Sequence, residues 1–300
     1  MDSSNARRIG VLDTAAPDPE RLALWELFQH RLNELGDTNT AFEFRWAQGR
    51  TERLAPLADE LVRLGVDVMV TAGTPAAAAA SRATSTVPIV MATGVGLGTQ
   101  LTGGASKPNA NITGISDLPP GVSEKRLTLL QAMIGEGAPL ALLCDRGNPS
   151  SPLALAETQK AAQPLGIAVK DYWIASADEF GKTLASMKTE GIRGFVVAPG
   201  GMFFAQRAAL GEIAIANGLA TITARREYAE AGCLMTYGAP IRENYRQAAS
   251  YVSRILRGVK PADLPVDEPT EFDFVINMTT AKALKLTPPS ELLAKADTIG

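Results

Sequence analysis

The strongest constraint on the fold of this chain is a regular alternation of short apolar runs with longer amphipathic runs. The apolar runs have the length and β-branched content of strands. Strands that alternate with helices of about 12 or more residues require right-handed βαβ crossovers, which place the strands parallel in one sheet. In the first part of the chain the strand-like runs are 8–14, 41–47, 66–72, 87–93 and 111–116. The first predicted helix carries on one stripe Leu22, Trp25, Phe28, Leu32 and Leu35, and the second carries Leu54, Leu57 and Leu61.

The same pattern then begins again, with the helices over 150–165, 176–190 and 201–217. Its strand-like runs are 139–145, 167–174, 192–198, 219–223 and 234–237. The two series share an entry glycine, an apolar spacing and a closing alanine, in Gly65-Val66-x-x-Met69-Val70-x-Ala72 and Gly191-Ile192-x-x-Phe195-Val196-x-Ala198. The repetition predicts an α/β protein with two Rossmann-like lobes, each built on a parallel sheet.

The end of the chain leaves the connection between the lobes open. An amphipathic helix over 241–257 leads through a proline-marked stretch to a strand over 272–277 and two short helical segments. These elements either extend the second lobe or return to the first lobe at about 239 and leave it at about 266. We take the second division, with an N-terminal lobe of 1–117 plus about 239–265 and a C-terminal lobe of 118–238 plus about 266–300.

Composition and charge narrow the class of protein. Charged residues make up 20% of the chain and the net charge is -3, so no basic footprint for nucleic acid is present. No stretch approaches the roughly 18 apolar residues of a membrane span. The N-terminus lacks the features of a secretory signal, so either the protein is cytoplasmic or a signal was removed upstream of Met1. Cys144 and Cys233 permit one disulfide without requiring it, since each lies beside an apolar run.

Signals for catalysis are weak. The single histidine, His30, lies in the middle of a predicted helix, and no His-Cys grouping for zinc, G-x-S-x-G elbow or phosphate-binding loop occurs. The run Gly94–Leu101 has a threonine in place of the third glycine of a dinucleotide fingerprint. Asp13, Asp117 and Asp145 follow three different strands, and nothing in their spacing makes an acid-base pair. We therefore predict no catalytic residue, no metal and no cofactor, and interpret Asp13 and Asp145 as polar rim residues that can touch a ligand or as helix caps.

Three strand-to-helix turns carry features of binding sites. Thr74-Pro75 places a hydroxyl at a predicted N-cap and proline at the first helical position, and 148–152 and 199–201 repeat this arrangement after two other strands. Such turns direct backbone N–H groups and the positive end of a helix dipole at an anion such as a carboxylate.

Aromatic residues near the same strand ends suggest an apolar wall. Trp46 closes the second strand, Phe203 and Phe204 open a helix, and Tyr237 ends a strand. Core packing is the expectation for Phe204, while Trp46 and Phe203 are expected to face a cleft.

Several segments occur together and in order across nearly the whole chain. They are Arg8-Ile9-Gly10-Val11-Leu12, Phe44-Arg45-Trp46-Ala47, Asp67-Val68, Ala72-Gly73-Thr74-Pro75-Ala76, Asn111-Ile112-Thr113-Gly114, Ala229-Glu230-Ala231-Gly232, Leu234-Met235, Tyr237-Gly238, Ala262-Asp263-Leu264-Pro265-Val266 and Pro269-Thr270. This ordered set resembles the substrate-binding proteins of ABC transporters, in the bacterial group that includes tryptophan- and tyrosine-binding lipoproteins.

The resemblance implies a type I periplasmic-binding-protein fold with a ligand cleft between the lobes and hinge closure around the ligand. It implies a monomeric solute receptor of an ABC importer, with a membrane permease as partner and a periplasmic location reached through a signal absent from this sequence. The ligand it implies is a small carboxylate-bearing molecule, an amino acid with aromatic ones favoured.

By position, the turn at Gly73–Ala76 would hold the ligand carboxylate, Asn148 and Ser150 would reach from the other lobe, and Tyr237 would lie near the crossover. The full set of residues predicted to contact the ligand is Asp13, Thr14, Trp46, Gly73, Thr74, Pro75, Ala76, Thr93, Asp145, Asn148, Ser150, Gly200, Phe203 and Tyr237.

The chain departs from the group's pattern in two places. Val95-Gly96 stands where relatives commonly have Asp-Pro, which removes a polar contact and bears on how a ligand amino group is held, and Cys233 stands where they commonly have glycine. Two other classes remain open: an isomerase or racemase that uses Asp13, Asp117 or Asp145, and the effector-binding domain of a transcriptional regulator. The regulator predicts a stable dimer and an N-terminal DNA-binding segment, and no such segment precedes Arg7.

Overall fold

The chain forms two compact units. The computed structural model describes residues 6–94, 111–116, 119 and 121–300. One unit consists of Met1–Leu118 with Ile241–Pro269, and the other of Pro119–Pro240 with Thr270–Gly300. The largest difference from the expected lobes is four residues, at Pro269 against 265. Asp117 and the part of the glycine-containing loop after Gly94 lie outside the described residues.

The first unit is built on a five-stranded sheet of order β2-β1-β3-β4-β5. Every neighbouring pair is parallel, as the alternating pattern predicts. Since β1 pairs with both β2 and β3, the direction of winding reverses between β1 and β3, and a ligand site is expected at the carboxyl ends of those two strands. The strands are β1 (Arg7–Asp13), β2 (Thr40–Trp46), β3 (Val68–Ala72), β4 (Ile89–Thr93) and β5 (Ile112–Gly114).

Helices cover both faces of this sheet. They are α1 (Pro19–Glu34), α2 (Leu54–Arg63), α3 (Thr74–Ala83) and, from the later segment, α10 (Ile241–Leu256). Trp25 and Phe28 of α1 pack with Tyr245 of α10 on one face. Leu22, expected on the apolar stripe of α1, is 40% exposed, because the buried stripe runs through Leu24, Trp25, Phe28 and Leu32.

The second unit has a seven-stranded sheet of order β12-β11-β10-β9-β8-β6-β7. Its first five strands follow the order of the first unit, so a second reversal of winding lies between β6 and β8. The pair β10–β11 is antiparallel and all its other neighbouring pairs are parallel. The strands are β6 (Leu140–Asp145), β7 (Val169–Ile174), β8 (Gly194–Val197), β9 (Ala220–Thr223), β10 (Met235–Gly238), β11 (Asp273–Asn277) and β12 (Asp297–Ile299).

The helices of the second unit differ from expectation in number. One helix was expected over 201–217, but the chain breaks at Gln206 into two helices. The sequence analysis did not predict the helices at Val122–Ile134 and Arg226–Glu230 or the strand β12. The helices are α4 (Val122–Ile134), α5 (Ser151–Ala162), α6 (Phe180–Thr189), α7 (Gly201–Ala205), α8 (Arg207–Asn217), α9 (Arg226–Glu230), α11 (Met278–Ala283) and α12 (Ser290–Leu293).

The two cysteines lie in different halves of the core of the second unit. Cys144 packs in the cluster with Leu140 and Leu142, whereas Cys233 packs in the cluster with Ala141 and Leu143. Successive residues of a strand point to opposite faces of its sheet, so the two thiols are separated by the sheet. Both are free, and burial raises the pKa of each to about 12.

No helix in the described parts of the chain has both the length and the apolar character that crossing a bilayer demands.

Candidate functional site

At the reversal point of the first unit, three strand ends are joined by hydrogen bonds around Gly73. The Gly73 N–H donates to Thr93 O at 2.9 Å and to Thr93 Oγ1 at 3.1 Å. The Thr14 N–H and Thr14 Oγ1 both donate to Ala72 O, at 3.3 Å and 3.2 Å. The carboxyl ends of β1, β3 and β4 thus form one small corner lined by hydroxyl-bearing side chains.

Two glycines allow the chain segments of this corner to approach closely. Gly73 has a φ of +97°, and a Cβ there would lie 2.9 Å from Thr14 Oγ1. Gly94 has a φ of +154°, and a Cβ there would overlap Met91 Cε and lie 3.3 Å from both the backbone N and the Oγ1 of Thr74. A side chain would therefore crowd Thr14 at position 73, and Met91 and Thr74 at position 94.

Helix α3 begins one residue earlier than its sequence predicts. Gly73 is the N-cap, so Thr74 is the first helical residue and Pro75 the second, which corrects the expectation of Thr74 as the cap. The N–H groups of Ala76 and Ala77 both donate to Gly73 O at 3.1 Å, and proline has no N–H. The polar surface of this helix start therefore comes from Thr74 and from the dipole of the helix rather than from a row of open N–H groups.

The alanines that follow have a packing role. Ala76 through Ala80 are at most 8% exposed, and all of them except Ala78 belong to the core cluster that contains Leu54, Ala58 and Leu61 of α2. Small side chains are needed because the two helices lie side by side on the same face of the sheet. The predicted contact of Ala76 with a ligand has no exposed side-chain surface to support it.

Asp13 is buried and fully bonded within the protein. Arg21 Nε and Trp25 Nε1 donate to Oδ2 at 2.7 Å and 2.8 Å, and Arg21 Nη2 and the Ala15 N–H donate to Oδ1 at 2.9 Å and 2.8 Å. These four bonds use the acceptor capacity of a carboxylate. Burial lowers the pKa of Arg21, but the charges of Asp13, Tyr245 and Asp18 and the hydrogen bond to Asp13 together hold that pKa above its ordinary value. The geometry gives Asp13 the role of fixing α1 to the end of β1 and does not support the predicted ligand contact.

Trp46 supplies a flat aromatic surface beside this corner. It ends β2 directly opposite Asp13 in the strand register. The indole is half-buried and stacks on Phe44, with ring centroids 5.7 Å apart and planes at 5°. Phe44 therefore fixes the orientation of the Trp46 ring. The sequence analysis predicted no such role for Phe44.

At the reversal point of the second unit, Asp145 ends β6 and is 9% exposed. Its Oδ1 accepts the Gly147 N–H at 2.8 Å, and its own N–H donates to Ser151 Oγ at 3.2 Å. Burial raises the pKa of the Asp145 carboxyl, and the bond from Gly147 acts in the opposite direction.

Asn148 ties together the loops that follow β6 and β8. Its Nδ2 donates to Pro199 O at 2.6 Å, and its Oδ1 accepts from the N–H and the Oγ of Ser150 at 3.0 Å and 2.8 Å. Asn148 and Ser150 are 6% and 2% exposed. Their polar atoms thus hold the corner in shape, and the predicted contact with a ligand stays a prediction.

Gly200 follows β8 at a point where three side chains approach the backbone. A Cβ there would lie 3.1 Å from Phe203 Cδ2, 3.5 Å from Asn148 Nδ2 and 3.7 Å from Asp145 Oδ2. This corner therefore combines one carboxylate and one amide with the ring of Phe203.

Of the two adjacent phenylalanines, Phe203 differs from expectation, whereas Phe204 packs against the core cluster as expected. Phe203 is fully buried and packs against Phe180, with centroids 6.2 Å apart, so the expectation that it faces outward is wrong. Phe204 is the half-buried one, with the guanidinium groups of Arg207 and Arg225 at 4.5 Å and 5.2 Å from its ring centroid. Two neighbours in a short helix point in different directions, and their identity alone does not decide which one faces the core.

Tyr237 lies at the end of β10, three residues before the chain leaves the second unit. Its half-buried ring stacks on Phe272 with centroids 5.4 Å apart, and its backbone oxygen accepts from Arg126 Nε at 2.8 Å. Phe272 and Arg126 were not singled out in the sequence, because nothing local marks them as neighbours of Tyr237.

In the described part of the chain, the corner of the first unit has hydroxyls and the Asp13 carboxylate paired with Arg21, and the corner of the second unit has the Asn148 amide and the Asp145 carboxylate, which is in no ion pair there. Within the described residues no group of three or more His, Cys, Asp or Glu side chains is placed to hold a metal ion. The hydroxyls, the amide and the carboxylates of these corners suit hydrogen bonding to a small polar molecule.

Two α/β units with this strand order, each with its polar corner at the reversal point, define the type I periplasmic-binding-protein fold. The chain belongs to the ABC transporter substrate binding protein family, which matches residues 16–299. Members of this family are substrate-binding proteins and not enzymes, and the substrate-binding proteins of ABC transporters are extracytoplasmic.

Known proteins support this assignment. A tyrosine-binding protein of Clostridioides difficile (strain R20291) is 22% identical over 289 residues, which cover 95% of this chain and 83% of that protein. The ABC domain from Streptococcus pneumoniae solved in complex with L-Trp has a TM-score of 0.90 at 24% identity, covering 99% of this chain and 100% of that one. The leucine-binding protein LivK of Thermotoga maritima has a TM-score of 0.66 at 13% identity, covering 83% and 82%. At these identities the solved structures show a common fold.

Proposed function

We propose that this protein is the solute receptor of an ABC importer and binds a small carboxylate-bearing ligand, an amino acid with an aromatic one favoured. The ligand would contact the reversal points of both units, which close on it by a hinge motion. The closed form would be presented to a membrane permease in the periplasm, with the protein acting as a monomer.

The corner around Gly73 is the observation that carries the proposal. Thr74 stands at the N-terminus of a helix of 10 residues, and Thr14 and Thr93 lie at the neighbouring strand ends. The positive end of the helix dipole and nearby hydroxyls favour a carboxylate, whereas a catalytic turn would carry a reactive group. The adjacent Asp13 does not oppose an anion, because Arg21 neutralises its charge.

An aromatic ligand is supported by flat surfaces near the strand ends and by the relatives. Trp46 and Tyr237 each present a half-buried ring held by a stacked neighbour. One relative is a tyrosine-binding protein, and the structural neighbour from Streptococcus pneumoniae was solved with L-Trp.

An isomerase or racemase is not favoured by the described residues. Such an enzyme needs two acid-base groups in reach of one substrate. The Asp13 carboxylate has all its acceptor positions occupied by donors from the protein. In the second unit Asp145 ends β6, and Asp117 lies outside the described residues.

Binding and turnover are tested together by calorimetry against the twenty amino acids and a set of aromatic carboxylic acids. We expect one or a few amino acids to bind without chemical change, and small-angle scattering to show a smaller radius of gyration in the complex. Chemical conversion of a bound amino acid would contradict the proposal, as would binding with no compaction. Light scattering tests the monomer, since an effector-binding domain of a regulator predicts a dimer.

The carboxylate site is tested by Thr74→Val, which removes a hydroxyl and keeps the shape of the side chain. We expect binding of the preferred amino acid to weaken by more than about 1 kcal/mol, the scale of a hydrogen bond to a charged group. Isothermal calorimetry measures the change.

Thr38→Val is the matched control, because Thr38 is exposed in the same unit and its loss of a hydroxyl should leave binding unchanged. Circular dichroism and thermal melts check that Thr74→Val is folded. Parent-like affinity in a folded Thr74→Val protein would exclude Thr74 from the carboxylate site.

A further inference from the structure

Two neighbouring threonines in the sheet of the second unit have buried hydroxyls. Thr223 is the last residue of β9, Thr236 lies in β10, and each is 1% exposed. Neither Oγ1 atom forms a hydrogen bond with any group in the described part of the chain. A buried hydroxyl without a partner costs free energy, because it gives up its bonds to water on folding and gains none in return.

The two hydroxyls lie side by side on one face of the sheet. Thr223 and Thr236 are paired in the parallel register of β9 and β10. The residues before them, Ile222 and Met235, are also paired, and both belong to one core cluster. Since successive side chains of a strand alternate between faces, both threonines point to the opposite face from that cluster.

The neighbours of the pair on this face are apolar or already bonded. Val275, which is paired with Thr236 on β11, is fully buried. Thr221 Oγ1, two residues before Thr223, accepts the Leu234 N–H at 2.7 Å. In the strand register, Thr236 therefore has one polar side chain beside it, which is Thr223.

The spacing of paired strands fits one bridging water molecule. Paired side chains of adjacent strands stand about 4.8 Å apart, which is too far for a direct hydrogen bond between oxygens in the same rotamer. A water that forms two bonds of about 2.8 Å at a tetrahedral angle joins oxygens about 4.6 Å apart. Ordering one internal water costs less free energy than leaving two hydroxyls unpaired.

Thr71 of the first unit is a contrasting case. Its buried Oγ1 also lacks a partner among the described residues, but its paired residues on the neighbouring strands are Leu12 and Met91. A water there would meet one hydroxyl, whereas ordered internal waters need two to four polar partners. Thr71 therefore serves as a control for a lone buried hydroxyl.

We propose that Thr223 and Thr236 form the binding site of one internal water molecule, which bridges their Oγ1 atoms. The water belongs to the folded second unit, and this inference is independent of the proposed receptor function. The ladder between β9 and β10 extends over two residue pairs, so the bridge adds a side-chain link to a short ladder.

Thermal melts of threonine-to-valine variants of the whole protein test the site, because valine keeps the shape of threonine and removes the hydroxyl. Thr223→Val and Thr236→Val each leave the other hydroxyl without its bridge, and we expect each to melt about 2–4 °C below the parent. The double variant has no unpaired hydroxyl at this site and should melt within about 1 °C of the parent, so that the two effects are not additive.

Thr71→Val is the matched control, since it removes a buried hydroxyl that has no paired polar neighbour. It should melt at or above the parent's temperature, opposite in sign to the two single variants.

A direct bond between the two hydroxyls would give the same melting temperatures, and a crystal structure of the parent that shows ordered water separates the two cases. We expect a water within about 3.2 Å of both Oγ1 atoms. Oγ1 atoms bonded to each other or to backbone oxygens would overturn the inference. Single variants that melt at or above the parent would overturn it too, as would losses that add up in the double variant.

Discussion

Asp13 and Asp145 show that residue type and strand position do not determine what a side chain does. Both end the first strand of their unit, and both were expected to touch a ligand. The structure surrounds Asp13 with Arg21 and Trp25, which lie one and two turns into α1, and gives Asp145 a single backbone donor. The two carboxylates differ in their hydrogen-bond partners because the helix that follows each strand directs different side chains towards them. The residues next to each aspartate in the sequence do not predict this difference.

Asp145 is expected to lower the stability of the free protein at neutral pH. Burial raises the pKa of its carboxyl above the ordinary 3.8, so the folded state holds that proton more tightly than the unfolded state. Stability therefore falls as the pH rises from 3.8 through the folded-state pKa, and the loss is complete above it. We expect Asp145→Asn to melt about 2–4 °C higher than the parent at pH 7, the shift for about 1 kcal/mol in a domain of this size.

The gain should shrink as the pH falls towards 4, because the parent's carboxyl then becomes neutral. Melting curves of both proteins over this range measure the effect, with Asp178→Asn, a change at an exposed residue of the same unit, as the comparison. A lower melting temperature for Asp145→Asn at pH 7 would contradict the assignment of Asp145 as an uncompensated buried carboxylate.

At the scale of elements, the close approach of two strand ends depends on one glycine. A Cβ at Gly238, the last residue of β10, would lie 2.0 Å from the backbone oxygen of Ala224. Backbone atoms cannot move aside as flexible side chains do. We expect Gly238→Ala to reduce the free energy of unfolding by more than about 2 kcal/mol, as overpacking against fixed atoms does.

Gly181→Ala is the control for this change. Gly181 lies in the exposed first turn of α6, and a Cβ there would meet nothing within 4 Å. Alanine favours helix and restricts the unfolded chain, so this variant should gain up to about 1 kcal/mol. Urea unfolding of both variants gives the two free energies, and equal effects would show that the approach of Ala224 is not limiting.

Strands were predicted better than helices from the sequence, for a physical reason. Each of the ten strands in the two predicted series lies within two residues of its expected bounds, because buried parallel strands are continuous apolar runs between turn residues. The helix α4 was missed because it begins after Gly121, with no side-chain cap to mark its start. The break at Gln206 was missed because Gln is an ordinary helix residue. The glycine turns at the strand ends are predictable from the sequence for the same reason, whereas partners such as Arg126 come from distant segments.

At the scale of the whole molecule, the burial of the two cysteines in separate core clusters predicts that their thiols are unreactive in the native protein. Cys144 and Cys233 are fully buried, and the pKa of each thiol is raised to about 12 by burial. Thiolate is the reactive form, so the native protein should not react with a thiol reagent at pH 8. After denaturation two thiols should react per chain. Reaction of one or both thiols in the native state, or of none after denaturation without reductant, would contradict this arrangement.

The route of the chain through the two units has a consequence for the order of events during synthesis. Helix α10 completes the core of the first unit, where Tyr245, Ala248 and Val252 are fully buried against α1 and the sheet. Those residues leave the ribosome only after the whole segment Pro119–Pro240 of the second unit has been made. Until then the face of β3 and β4 that α10 covers is open to water, so the first unit cannot finish folding before most of the chain exists. A nascent chain of this design stays incompletely folded for much of its translation.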